Sequence, residues 1–443
     1  MKNTFFVTLF LVASTSVWGQ EKAGYNLLEA QETALNNSEK LKQSVLDEEI
    51  ARLKVVETRA IGLPQASLSG NFQNFLNLPI QVVDASFINP NAKPGETISF
   101  RAGTDYSASG TFQANQLLFN GSYLVGLQVS KFYQDFAKTN SEKTKEDVLF
   151  NVTQAYQMAV VAKENQLFMD SIVLATKNLV DKQQNYFELG LMVQEDMDQL
   201  NFALSNAQNS QESARLQYQN ALALLKMTMG LEQSVDLEPT EDIRTLLKRS
   251  ASLSGEQTVQ SNINYVLLQK QIQLNEYNLK NKRMAYLPTA SAFFQQTYNA
   301  YRNEFNFFAN EKWFPQTLWG LQLQIPLFSS GSRKSQVSQA RVELEKSRTQ
   351  LTELEKALQM QKIQYENNLK SALSQLALQQ KNVELAKTIY QNSITKKEIG
   401  KESSIVVSQK YNQLVMAQAQ YVGAMLEVFN SKLNLDKLYH HIQ

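Results

Sequence analysis

Cysteine is absent from this 443-residue chain. That excludes disulfides, thiolate metal sites and cysteine nucleophiles. Proline is scarce, at eight residues, as suits long uninterrupted helices. The only two histidines, His440 and His441, are too few for a metal cluster. At the extreme C-terminus they read as a frayed tail rather than a ligand pair. No G-x-S-x-G and no P-loop occurs. Paired acids such as Glu48 and Glu49 fall in water-facing helical runs. No catalytic, metal or cofactor site is expected, and the chain does not read as an enzyme. A formal net charge of +1 argues against a nucleic-acid partner, because phosphate binders carry a clustered basic excess.

Long hydrophobic runs are missing too. Beyond the N-terminus no stretch of about 20 apolar residues exists, so no transmembrane helix is expected. The N-terminus itself, "MKNTFFVTLFLVASTSVWGQ", has Lys2, an apolar run over residues 5–13 and the small-ended Val17-Trp18-Gly19. Residues 1–19 thus read as a secretory signal peptide. No cysteine follows the cleavage site, so a lipid anchor is not available there.

What is present is a duplication. "LPQASLSGNFQ" (63–73) recurs as "LPTASAFFQQT" (287–297), "QLLFNGS" (116–122) as "IPLFSSGS" (325–332), and "FELGLMVQED" (187–196) as "KEIGKESSIV" (397–406). The shared order divides the mature chain into a first repeat over 20–230, a connector over 231–261 and a second repeat over 262–443.

Each repeat holds two stretches of strand-like alternation. In "YSASGTFQANQ", Tyr106, Ala108, Gly110, Phe112 and Ala114 face one way, and Ser107, Ser109, Thr111, Gln113 and Asn115 the other. The strand pairs are placed at about 64–75 with 104–119 and about 288–299 with 313–328. Each is long enough to cross an outer membrane when tilted. Their polar faces carry Ser, Thr, Gln and Asn with almost no Lys or Glu, and Phe75, Tyr301, Trp313 and Phe314 gather near their ends, as an interfacial girdle requires. Residues 76–103 and 302–312 read as surface excursions.

The rest reads as helix. The largest blocks run over 122–188 and 332–398, with shorter pieces at 27–61, 194–229, 262–286 and 404–439. Val337, Leu344, Leu351, Leu358, Tyr365 and Ala372 step by seven, which is coiled-coil spacing. At ~1.5 Å per residue each large block spans about 100 Å, and its Gln-, Lys- and Glu-rich surface belongs in water. The connector, broken by Pro239 and Gly255, is expected to pack outside these helices.

Four spanning strands leave two edges, and an unpaired backbone group in hydrocarbon costs several kcal/mol. The sheet must therefore close with other copies of itself, as eight, twelve or sixteen strands for a dimer, trimer or tetramer.

On these residues the chain resembles the TolC-like outer-membrane efflux proteins over essentially its whole mature length. The resemblance rests on the duplication and on Leu-Pro strand entries in both halves. It rests also on the Leu118-Phe119 and Leu327-Phe328 exits with Gly121 and Gly331, the hairpins around Gly190 and Gly400, and Ala34-Leu35 with Asn37. It implies a mainly α chain with a β-barrel part. Four strands per chain would share a trimeric twelve-stranded transmembrane barrel, continuous with a long α-helical periplasmic barrel. It implies the outer membrane and its lipid as location, and the exit duct of a tripartite efflux or type I secretion system as function. The implied partners are two further copies, a periplasmic adaptor and an inner-membrane transporter.

By the same resemblance the hairpin tips meet the adaptor and close the tunnel. The matching positions are Gly190, Leu191, Gly400, Lys401 and Ser403. A glycine between helices also serves as an ordinary C-cap. For the aperture the matching positions are Asp196 and Asp198, with Lys397 (or Lys396) to latch Asp196 and Glu402 beside it. An acidic helix start complementing the helix dipole is the other reading of Asp196 and Asp198. The second repeat departs from the pattern, with Val406 and Gln409 at its acidic positions. Two readings compete with the duct. One is a soluble periplasmic coiled-coil scaffold or adaptor. The other is a porin or adhesin using residues 76–103, which leaves the long helices without a purpose.

Overall fold

A computed structural model describes residues 24–88, 90–251 and 258–442 of the chain. The signal peptide read over residues 1–19 and Gly255 of the connector lie outside the described residues. In chain order the elements are β1 (Gly24–Tyr25), α1 (Leu27–Asn37), α2 (Glu39–Ala60), β2 (Gln65–Asn74), β3 (Ile80–Asp84), β4 (Thr97–Arg101), β5 (Tyr106–Asn120) and α3 (Gly121–Glu188). There follow α4 (Gln194–Met229), β6 (Glu238–Pro239), α5 (Ile243–Ser250), α6 (Ile263–Met284), β7 (Thr289–Arg302), β8 (Phe314–Gln324), α7 (Ser332–Glu398) and α8 (Ser404–Leu438). The chain forms two compact units, one of residues 24–43, 142–263 and 355–442, the other of residues 44–141 and 264–354.

The second of these carries the sheet. Its order is β2-β5-β7-β8, antiparallel throughout, with β2 and β8 at the edges. The register sets Leu68 opposite Phe112, Ala114 opposite Phe294, and Phe294 opposite Trp319. All share one face, because side chains along a strand alternate. Leu68, Trp319 and Leu321 on that face are 81%, 77% and 71% exposed. The other face pairs Gln113 with Gln295 and Ser291 with Gln322, and Thr111 bonds Thr297 at 3.0 Å. One row breaks the apolar face. Gln296, opposite Phe112, accepts a hydrogen bond from the hydroxyl of Thr317 across the next strand. Each thereby satisfies part of the other's polarity. At the β7–β8 end Phe72, Tyr106, Phe305 and Phe307 pack ring on ring, with centroids 5.5 to 6.2 Å apart.

Residues 76–103 are more than a surface loop. Strands β3 and β4 pair antiparallel as a separate hairpin, closed where Asp84 accepts from the Ser86 N–H at 3.0 Å. In the same unit α6 packs on α7 through Leu279, Ala340 and Leu344, and Asn275 donates to the Ser347 hydroxyl at 2.6 Å.

The other unit is helical. Asn26 and Glu29 form a capping box that starts α1. The single helix expected over 27–61 is broken at Ser38. That residue is extended, and its hydroxyl accepts the Leu41 N–H at 3.3 Å, so it caps a second helix. One core joins Ala30 and Ala34 of α1, Val152 and Tyr156 of α3, Leu225 and Met229 of α4, and Phe429 of α8. The connector contributes to it as well: Leu237, Ile243 and Leu246 are buried in this core, so the segment does not merely lie outside the long helices. A second core gathers Leu179, Met197, Leu200, Tyr390, Tyr411 and Leu414, where Tyr390 and Thr176 share a 2.7 Å hydroxyl contact.

The C-terminal histidines are not frayed. His440 takes a left-handed backbone (φ 58°) just after α8, and the His441 N–H reaches back to the Asp436 carbonyl at 2.8 Å. Such a bond ends a helix tightly. It places His440 Nδ1 2.9 Å from Glu146 Oε1 on α3, a partner nearly three hundred residues away that no local pattern signals.

Candidate functional site: the helical tips and the sheet face

Two short turns, built alike, join α3 to α4 and α7 to α8. In the first, the Gly190 N–H donates to the Phe187 carbonyl and the Leu191 N–H to the Tyr186 carbonyl, both at 2.9 Å. In the second, Gly400 donates to Lys397 at 3.0 Å and Lys401 to Lys396 at 2.9 Å. Both glycines have φ 73°, a conformation that disfavours any side chain. Nothing lies within 4 Å of where a Cβ would sit on either, so the turns face open space. Around them Leu189, Leu191, Val193 and Ile399 are exposed, as are Lys401 and Ser403.

Between the turns lies a cleft of about 690 Å³, lined among others by Gln183, Asp196, Lys397 and Glu402. Asp196, in the first turn of α4, accepts from the Ser404 N–H at the start of α8 at 3.3 Å. Lys397 lies 3.4 Å away on α7 with its side chain buried, whereas Lys396 is exposed. The contact thus ties the two hairpins together through side chains 201 residues apart. Burial pushes the Asp196 carboxyl up, but Ser404 and the Lys397 ammonium outweigh it and hold it below its ordinary range. Lys182 and Glu398 make a second, exposed tie at 2.8 Å between α3 and α7. Such an exposed pair contributes little. Asp198 stands apart from this group. It is exposed and accepts from Gln194 of its own helix at 2.7 Å. Glu402 faces the cleft with Oε2 buried and without a partner. Sequence reasoning named both hairpins' residues but missed Ser404, which meets Asp196 across 208 positions.

Among the described residues no helix is long and apolar enough to cross a membrane. An exposed apolar sheet face and wet helices instead describe an outer-membrane channel protein. Residues 266–439 match the family model described as "Outer membrane efflux protein". The chain is 22% identical over 351 residues to the proteases secretion protein PrtF of Dickeya chrysanthemi, covering 77% of this chain and 72% of that protein. It is likewise 22% identical over 337 residues to the outer membrane efflux protein BepC of Brucella suis biovar 1 (strain 1330), covering 73% and 71%. Its fold is similar to the Campylobacter jejuni CmeC outer membrane channel, with a TM-score of 0.72, 16% identity, and 94% and 86% of the two chains covered. The chain is thus similar to outer membrane efflux proteins in sequence and to outer-membrane channels in fold. It is a transport protein of the outer membrane and not an enzyme.

Proposed function

We propose that this protein is the exit duct of a tripartite efflux pump or type I secretion system, a passive conduit closed at its helical tips. The observation that carries the reading is the open four-stranded sheet. It exposes one apolar face and leaves the outer edges of β2 and β8 without a neighbour among the described residues. Three copies joined edge to edge close twelve strands, with the apolar face toward lipid and the Gln- and Thr-bearing face toward water. In this reading the repeats span 20–230 and 262–443 with 231–261 between them, and α3 and α7 belong to the wall of a periplasmic duct. The exposed residues around Gly190, Leu191, Gly400, Lys401 and Ser403 take up a periplasmic adaptor, which couples the duct to an inner-membrane transporter. A soluble scaffold has no use for an exposed row of Leu68, Phe112, Trp319 and Leu321. The mass of the mature protein extracted in mild detergent, after subtraction of detergent, is expected near three chains. A water-soluble monomer would end the reading.

The same reading makes Lys397–Asp196 the latch of the closed tip, with Glu402 in the cleft and Asp198 beside it on α4. A carboxyl held below its unfolded pKa stabilises wherever the pH lies above that value, and the effect is lost as pH falls through the folded value. Conductance in planar bilayers is therefore expected to stay flat from about pH 8 to 5 and to rise only below about pH 4. Lys397→Ala is expected to raise conductance at neutral pH. A variant as tight as the wild type, or a wild type that opens between pH 7 and 5, contradicts the latch.

A further inference from the structure

A groove of about 530 Å³ lies where α1 and α3 meet the end of α8, far in sequence from the tips. Its acids, Glu32, Glu142 and Glu146, outnumber its one lysine, Lys145. Its apolar lining includes Leu28, which is 63% exposed, and Leu149, which is buried.

Glu146 is the unusual member. It is 2% exposed, Oε1 meets His440 Nδ1 at 2.9 Å, and Oε2 is buried with no hydrogen-bond partner. Burial pushes this carboxyl up, against the pull of His440 and Lys437 and with a small push from Asp147. Lys437 makes its own bonds elsewhere, to Asp147 at 2.7 Å and over the Phe150 ring. A bare buried carboxylate oxygen is costly to leave unmet. His440 is held against Glu146 in a backbone conformation that non-glycine residues rarely adopt. A strained residue pinned beside an incompletely satisfied acid is an arrangement that a bound donor completes.

The chemistry of the lining selects the donor. An anion is disfavoured by the excess of acids. A metal ion is disfavoured because no cluster of three or more His, Asp or Glu side chains placed to hold one exists among the described residues, and hard cations need six or more oxygens. An ammonium group supplies both the missing N–H and the opposite charge, and the leucines suit an apolar tail. We propose that this groove binds a monovalent organic cation, an ammonium group carrying a short alkyl or aryl tail. Glu146 Oε2 takes its N–H, and Leu28 and Leu149 cover the tail.

The test uses the full mature protein in maltoside micelles, titrated calorimetrically with phenylpropylamine and, separately, with the neutral phenylpropanol, after subtraction of empty micelles. The amine is expected to bind saturably at one site per chain, with the alcohol at least about tenfold weaker, the scale of one charge-assisted hydrogen bond. Glu146→Gln and Leu28→Lys are each expected to weaken the amine by at least about tenfold. Leu28 is exposed, so its variant keeps the fold and decides the matter alone if Glu146→Gln does not fold. No heat beyond that of empty micelles, an alcohol that binds as well as the amine, or unchanged affinity in Leu28→Lys overturns the proposal.

Discussion

Leu321→Arg is expected to remove the protein from the outer membrane. Leu321 lies within β8, opposite Ala292, and is 71% exposed on the apolar face. Ala292 offers the guanidinium no partner, and an arginine on the lipid face of a barrel costs about 2–4 kcal/mol near the midplane. In the proposed trimer that penalty is met once per subunit. The neighbouring Gln322 points to the opposite face, where it pairs with Ser291, and Gln322→Arg places the same charge toward water. Membrane fractionation of cells expressing the two variants should find Gln322→Arg in the outer membrane and Leu321→Arg absent or degraded. Normal recovery of Leu321→Arg would remove lipid from that face of the sheet.

Tyr156→Ala is expected to be the most destabilising single change in the helical unit. The ring is fully buried among α1, α3, α4 and α8. Its hydroxyl donates to the Tyr25 carbonyl at 2.9 Å and accepts from the Glu241 N–H at 3.2 Å. One side chain thus fastens both the start of the described chain and the connector to α3. Removing a buried aromatic costs about 3–5 kcal/mol. Tyr156→Phe keeps the packing but strands the Glu241 N–H, at about 1–3 kcal/mol for a buried group left unmet, while the Tyr25 carbonyl keeps the Thr240 N–H at 3.0 Å. Loss of the helical circular dichroism signal on heating should therefore come earliest for the alanine variant, later for phenylalanine and last for the wild type. An alanine variant that melts with the wild type would show that neither the packing nor the hydroxyl anchors the connector.

Much of this architecture was legible because its signals are local. Gly190 and Gly400 mark the hairpin turns, and α4 and α7 begin and end where composition and periodicity place them. The alternation in "YSASGTFQANQ" yields a strand from Tyr106 to Asn120, since side-chain direction follows from the backbone alone. What was missed depends on competition or on distance. Ser38 is one polar residue in a helical run, and only its capping bond to Leu41 shows that it divides two helices. Strands β3 and β4 are five residues each, and the turn signals between them masked their alternation. At the tip, sequence left Lys396 and Lys397 as equal partners for Asp196. Helical phase decides between them, burying Lys397 and leaving Lys396 in water. Glu146 and His440 meet across 294 positions, and a pairing of that kind has no period to read.

The two unpaired edges of the sheet also bear on inheritance. In the proposed trimer a lone chain has no comfortable place in lipid, so insertion and assembly become a single event in which every subunit is indispensable to its neighbours. A defective copy does harm by being built in. In a cell making equal amounts of sound and faulty chains, random mixing into the proposed threefold ring leaves about one assembly in eight wholly sound. Lesions at β2 or β8 that spare folding but spoil the seam would therefore behave as dominant alleles, whereas lesions that destroy the chain before assembly would behave as recessive ones.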